Sequence, residues 1–79
     1  MAALTTALAT AFTPAAGDFI VQCTAGVAAL QRENTSGAGW THVGTITGND
    51  SPIVSNPVAG ARYQFVQVGA TTATVRADQ

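Results

Sequence analysis

The last third of the chain decides the fold, with the sequence RYQFVQV at residues 62–68 and TTATVRAD at residues 71–78. Apolar and polar side chains alternate in both runs, which is the pattern of a β-strand with one buried face. The apolar positions that are predicted to face inward are Tyr63, Phe65, Ala73, Val75 and Ala77. Gly69-Ala70 lies between the two runs and favours a turn, so we predict that they form a hairpin.

Four further strands are predicted upstream, bounded by segments rich in Gly, Asn, Ser or Pro. They span residues 19–24, 27–33, 40–47 and, as a brief edge strand, 53–55. The composition of residues 27–33 also fits a short helix, but so short a run between two glycine-bearing segments is more typical of a strand. A series of about five to seven short strands predicts an all-β fold, either a small antiparallel β-sandwich of immunoglobulin-like type or a barrel.

Alternation also assigns faces to these upstream strands, because successive side chains of a strand point to opposite sides. In the first strand, the predicted inward positions are Phe19, Val21 and Cys23. In the strand at 40–47, the pattern places on one face Trp40, His42, Gly44 and Ile46. The opposite face of that strand is rich in threonine, which indicates that the strand is half-exposed.

Residues 15–79 are therefore predicted to be one β-sandwich domain, preceded by an N-terminal arm at residues 1–14. Alanine and threonine alternate in this arm with occasional leucine, so its helix and strand signals are both weak. One interpretation is a frayed terminus or edge strand. The other is an arm that orders against a neighbouring subunit, with possible partner contacts at Leu4, Leu8 and Phe12. In that case a chain without residues 1–13 would fold but would not assemble.

The composition excludes several classes of protein. The 79 residues carry a net charge of −1, with three arginines, no lysine and only 9% charged side chains. Nucleic-acid binding needs clustered cations, which are missing here. The chain also lacks a basic leader and a run of about 20 apolar residues, so neither a secretion signal nor a membrane span is predicted.

A domain of this size buries only roughly 60% of the surface that its unfolded chain exposes, so it usually needs additional stabilisation. Sixteen of its hydrophobic residues are alanine, which makes the core thin. A single cysteine, Cys23, cannot form an internal disulfide, and a single histidine, His42, cannot assemble a metal site with the scattered acids. The remaining source of stability is a partner, so we predict a homo-oligomer or an assembly subunit without metal or cofactor.

No arrangement of residues points to catalysis. His42 lies in a predicted strand beside Trp40 and has no nucleophile motif near it, and Cys23 has no neighbouring base. The glycines are spaced as turn residues and form no phosphate-binding or dinucleotide-binding motif. Of the larger aromatic side chains, Trp40 borders a glycine-rich loop and is the one most expected to be exposed. It is therefore a further candidate for partner contact.

Four segments of the chain carry a family resemblance. They are VAALQRE at residues 27–33, GWTHV at 39–43, PVAGARYQF at 57–65 and the closing TATVR at 72–76. Together they resemble small β-sandwich virion proteins of tailed bacteriophages, which combine a strand bearing leucine, glutamine and arginine with a glycine-rich turn before tryptophan. The resemblance extends over residues 17–78.

This resemblance implies a non-enzymatic structural protein of the virion, assembled in the host cytoplasm. Its partners would be the major capsid protein or other virion proteins, with no nucleic acid and no membrane. A small separate domain favours a capsid decoration protein that binds the head shell in many copies and clamps adjacent capsomers. Two alternatives are a tail or head-fibre component, and a carbohydrate-binding or host-receptor module that uses Trp40 and its flanking loops.

Overall fold

The computed structural model of the chain describes residues 3–34, 39–48, 50–56 and 59–79. Within these ranges the chain forms seven strands and no helix. The strands are β1 (Ala3–Thr5), β2 (Phe19–Ala25), β3 (Val27–Glu33), β4 (Trp40–Thr47), β5 (Ile53–Val54), β6 (Tyr63–Gln67) and β7 (Thr74–Asp78). The predicted loops at 34–39 and 48–52 fall in part, at residues 35–38 and 49, outside the described residues.

The strands form two antiparallel sheets that pack face to face. Sheet A has four strands in the order β1-β7-β2-β5, and sheet B has three strands in the order β4-β3-β6. Because no described strand pairs with both sheets, the structure is the predicted small β-sandwich rather than a barrel. The short strand at 53–55 is confirmed as an edge strand of sheet A.

The core lies between the central strands of the two sheets. In sheet A, Val21 pairs with Ala77 and Cys23 pairs with Val75, and all four side chains are buried. In sheet B, Leu30 pairs with Phe65 of the neighbouring strand. The buried core residues are Phe12, Phe19, Val21, Cys23, Ala28, Leu30, Ile46, Tyr63, Phe65, Ala73, Val75 and Ala77. The predicted inward faces of β2, β6 and β7 are therefore confirmed.

The predicted hairpin between β6 and β7 is wrong. β6 pairs with β3 in sheet B, whereas β7 pairs with β1 and β2 in sheet A. Residues 68–73 carry the chain across the sandwich. Six residues reach up to about 20 Å, which is enough to cross the roughly 10 Å between packed sheets. The apolar faces of β6 and β7 thus oppose each other across the core. Apolar and polar residues alternate along each strand in this arrangement, as they also would in a hairpin.

A second crossing between the sheets takes place at Gly26, the one residue between β2 and β3. Its φ of 69° lies in the left-handed region, where glycine has no steric penalty. A Cβ placed there would lie 3.1 Å from the Cα of Ala73. Glycine is required at this corner both by its dihedral angle and by the close approach of the chain that enters β7.

The predicted face of β4 is also wrong, because a β-bulge interrupts its alternation. Leu30 pairs with Gly44, but the next residue, Gln31, pairs with His42, so Val43 is an extra residue in β4. Past this bulge the side chains change sides. Gly44 and Ile46 remain on the inner face, as predicted, whereas His42 and Trp40 lie on the outer face of sheet B.

Residues 3–14, predicted to be an arm outside the domain, lie against the sandwich itself. β1 pairs with the edge of β7 in sheet A. The chain then crosses to sheet B, where the amide of Ala9 donates to the carbonyl of Phe65 at 2.7 Å. Phe12 and Tyr63 exchange two backbone hydrogen bonds of 2.8 and 2.9 Å. This N-terminal segment covers one side of the sandwich, between the edges of β7 and β6, while residues 1 and 2 lie outside the described residues.

Candidate functional site

Three of the four predicted partner-contact residues direct their side chains into this chain. Phe12 is only 6% exposed and packs against three aromatic rings, with centroid distances of 5.9 Å to Phe19, 6.1 Å to Tyr63 and 5.6 Å to Phe65. The other two, Leu4 and Leu8, are partly buried against the core. Most of the apolar surface of the N-terminal segment is therefore used inside the domain.

The N-terminal segment is fixed by a buried polar cluster around Asn56, which is 1% exposed. Its Nδ2 atom donates to the carbonyl of Ala15 at 2.9 Å, and its Oδ1 atom accepts from the hydroxyl of Tyr63 at 3.2 Å. From the other end of the chain, the side chain of Gln79 accepts from the amide of Ala15 at 2.7 Å and donates to its carbonyl at 2.8 Å.

This cluster has a structural role. Across the described ranges, every buried side-chain nitrogen and oxygen atom has a hydrogen-bond partner. No polar side chain there is left to bind a ligand in the interior, and the cost of an unpaired buried polar group is avoided. The polar groups that can contact another molecule therefore lie on the surface of the sandwich.

The fourth predicted contact, Trp40, lies on the outer face of sheet B and is half-buried. It pairs across strands with Glu33, and the neighbouring row pairs His42 with Gln31 and Gln31 with Gln64. We call the outer surface formed by these five residues, together with Arg62, the Trp40 face. The bulge at β4 creates this surface, and the strict alternation of the sequence gives no sign of it.

Polar contacts within the Trp40 face orient its side chains. The amide of Gln64 donates to Oε1 of Gln31 at 2.8 Å. Nη1 of Arg62 lies 3.4 Å from the carboxylate of Glu33, and since the Arg62 side chain is 47% exposed, this ion pair adds little stability. A tryptophan ring next to amides and a charged pair can stack on a sugar ring and hydrogen-bond to its hydroxyl groups.

His42 lies beside a threonine on the outer face of sheet B. Among the described residues, the side-chain hydrogen-bond partner of its Nε2 atom is the hydroxyl of Thr45, at 3.4 Å, and both residues are exposed. A nucleophile requires a base that is itself oriented by a third group. In addition, the described part of the chain holds no cluster of three or more His, Cys, Asp or Glu side chains that could bind a metal ion.

A different surface lies on the side of the sandwich opposite the N-terminal segment. There the edges of β4 and β5 border an open cleft of about 390 Å³, which we call the β4–β5 cleft. Its lining residues are Val21, Leu30, Val43, Gly44, Thr45, Ile46, Pro52, Ile53, Val54 and Ser55. Two of them are exposed hydrophobic residues: Val43 is 45% exposed and Ile53 is 67% exposed. Sequence reasoning missed this cleft because it depends on the order of the strands.

A smaller groove on the outer face of sheet A is lined mainly by residues with polar side chains. Its volume is about 340 Å³, and it is lined by Thr6, Gln22, Thr24, Thr74, Val75 and Arg76. The guanidinium of Arg76 is held by the carboxylate of Asp78, with an Nε to Oδ2 distance of 2.8 Å. The one cation of this groove is thus already paired with an acid of its own strand.

Comparison of the chain with protein-family models, with curated proteins and with solved structures finds no match. The described residues contain no helix that is long and apolar enough to cross a membrane.

Proposed function

We propose that this protein is a non-enzymatic structural subunit of a bacteriophage virion, and that it binds the head shell in many copies as a capsid decoration protein. The proposal rests on the resemblance of residues 17–78 to small virion β-sandwich proteins and on the character of the surface. One structural observation adds support: most of the few charged side chains are paired or hydrogen-bonded within the domain.

Four of the seven charged residues neutralise one another within the domain, as Arg62 with Glu33 and Arg76 with Asp78. A fifth, Asp50, accepts a 2.8 Å hydrogen bond from the hydroxyl of Thr47. Threonine and alanine form much of the remaining exposed surface. Such a surface loses little hydration energy when it packs against another protein, because few charges have to be removed from water.

The shape of the domain also suits a subunit that covers a shell. The Cα positions extend over 31 × 29 × 17 Å, so the molecule is a flat plate of two sheets. A plate that lies on a closed symmetric shell contacts the shell through one broad face and neighbouring subunits through its edges. The repeated environments of such a shell require many identical copies.

The number of copies in each particle tests this proposal. Quantitative electrophoresis of purified virions should give on the order of hundreds of copies of this chain for each head, as expected for a protein that follows the shell symmetry. Heads that lack the protein should lose resistance to heat and to chelation. A copy number of about a dozen or fewer would instead favour a tail or head-fibre component.

The Trp40 face supports a second candidate, a carbohydrate-binding or host-receptor module. The specific observation is a half-buried tryptophan beside the hydrogen-bonded pair Gln31 and Gln64 on an open sheet face. Trp40→Ala should then abolish binding to cells or glycans while the thermal unfolding midpoint stays near that of the wild type. Ile53→Ala, an exposed change outside this face, is the matched control. Unchanged glycan binding by Trp40→Ala would rule out this role.

A further inference from the structure

We propose that the β4–β5 cleft is a self-association surface, through which the free protein binds a second copy of this chain in a two-fold symmetric dimer. This inference does not depend on the proposed role in a virion. It follows from the difference between the two sides of the sandwich and from the chemistry of the cleft.

The two sides of the sandwich differ in what covers them. On one side, the N-terminal segment adds β1 to β7 and makes backbone hydrogen bonds to β6 through Ala9 and Phe12. On the other side, β4 and β5 are the outer strands of their sheets, and no other described strand pairs with their outer edges. The inner side chains of Val21 and Leu30 line the resulting cleft. Val21 and Leu30 are themselves at most 1% exposed, so the two sides differ in the pairing of their edge strands and not in exposure of the core.

The charge distribution of the cleft points to a second copy as the occupant. None of its described lining residues is charged, and only Thr45 and Ser55 carry polar side chains. In a two-fold dimer each surface meets itself, so any unbalanced charge in it would face an identical charge. A surface without charge avoids this repulsion, and a charged partner segment would lose its hydration here without an ion pair in return.

The shape of the surface suits this form of association. Val43 and Ile53 project at the two rims, with 45% and 67% of their surface exposed, beside the apolar concavity of the same molecule. Because the patch contains both a cavity and projecting apolar side chains, the side chains of each copy can occupy the cavity of the other copy. Removing these side chains from water supplies the main driving force.

The area that a dimer needs extends beyond the cleft itself. A standard interface covers about 800 Å² on each partner, which is about one fifth of the 4229 Å² that the chain exposes. Contact must therefore include the rims of the cleft, where Val43 and Ile53 lie. These two positions are consequently the ones at which a charge should have the largest effect.

The edge strands limit the assembly to a closed dimer. Val43 is the bulged residue of β4, and β5 is only two residues long. Bulges and very short edge strands both oppose the continuous edge-to-edge pairing that leads to open-ended aggregates. The second copy therefore docks by its side chains in the cleft, and the interface closes after two chains.

Sedimentation equilibrium of the full chain over a wide concentration range tests the proposal. The wild-type protein should change from the 7.9 kDa monomer to a species of twice that mass as concentration rises. Val43→Asp and Ile53→Asp should each weaken this association by at least about tenfold, because each buries a carboxylate in the interface. Val68→Asp is the matched control, since Val68 is also 45% exposed but lies outside the cleft.

Circular dichroism and thermal unfolding establish that each variant is folded before its association is compared with that of the wild type. Loss of the dimer in both cleft variants, with the Val68→Asp dimer intact, supports the proposal. A wild-type protein that stays monomeric up to near-millimolar concentration overturns it. A dimer that persists in both cleft variants, or that is lost equally in Val68→Asp, places the interface elsewhere and also overturns it.

Discussion

The hydroxyl of Tyr63 donates a 3.2 Å hydrogen bond to Oδ1 of Asn56, and neither side chain is more than 2% exposed. The side chain of Asn56 also donates to the backbone carbonyl of Ala15, and the backbone carbonyl of Asn56 accepts from the amide of Gly17 at 2.7 Å. This pair therefore connects β6 of sheet B to the segment that leads into β2 of sheet A.

Tyr63→Phe should lower the free energy of unfolding by about 1–2 kcal/mol, because it leaves the buried Oδ1 atom of Asn56 without a partner. Urea denaturation measures the loss. Gln64→Ala, a neighbouring change that removes a partly exposed hydrogen bond, should alter stability by no more than about 0.5 kcal/mol. Equal stability of Tyr63→Phe and wild type would mean that Oδ1 finds another partner.

Phe12→Ala should destabilise the domain by about 3–5 kcal/mol, the usual loss for a buried phenylalanine. A chain of this length has a total stability of about 4–12 kcal/mol, so the variant should be marginally folded. Thermal unfolding measures the effect, and Thr13→Ala, at the exposed neighbouring position, should remain close to wild type. A small effect of Phe12→Ala would show that the N-terminal segment contributes little to the core.

Deletion of residues 1–13 extends this test to the whole segment. Under the interpretation of these residues as a separate arm, the truncated domain would fold but would not assemble. The structure changes that expectation, because the deletion removes β1, Phe12 and the backbone hydrogen bonds to Tyr63 and Phe65. We now expect loss of cooperative unfolding and dye binding to the exposed core. A truncated chain with a sharp unfolding transition would restore the interpretation of these residues as a separate arm.

Gly26→Ala should destabilise the protein more than Gly69→Ala does. Both glycines have a positive φ, 69° and 86°, so both substitutions cost about 1 kcal/mol in backbone strain. Only at Gly26 would the new Cβ also meet backbone, at 3.1 Å from Cα of Ala73, whereas nothing lies within 4 Å at Gly69. The difference between their urea midpoints therefore isolates the close approach at the β2–β3 corner. Equal midpoints would mean that the corner relaxes without cost.

Much of the fold was predictable from local pattern alone, because alternation depends only on which side chains are buried. Phe19, Val21 and Cys23 in β2 and the apolar positions of β7 were assigned to the inner face in this way. Alternation does not specify which strands are neighbours. The error at β6 and β7 has this origin, since Phe65 and Val75 face the same core in a hairpin and across a sandwich.

The candidate surfaces were less predictable, because both depend on non-local geometry. The bulge at Val43 adds one residue to β4, and this moves Trp40 and His42 to the outer face without any change in composition. The β4–β5 cleft exists because those two strands are the outer strands of different sheets on the same side. For the N-terminal segment, the weak propensities of its alanines and threonines left an edge strand and a separate arm both open. The structure has β1 as an edge strand of sheet A and Phe12 in the core.

The rate at which a thiol reagent labels Cys23 reports whether sheet A opens only when the whole domain unfolds. Cys23 belongs to β2 and pairs with Val75 of β7; its thiol is fully buried in the core, and its Sγ lies 3.1 Å from the carbonyl of Ala25. We expect a thiol reagent to label the native protein only through the small globally unfolded population, and to label it at once in concentrated urea. Tyr63→Phe should accelerate labelling by about the factor by which it raises the equilibrium constant of unfolding, roughly tenfold for 1.4 kcal/mol. Rapid labelling of the wild-type chain, independent of that substitution, would show instead that the β2–β7 pairing opens locally while the rest of the sandwich stays folded.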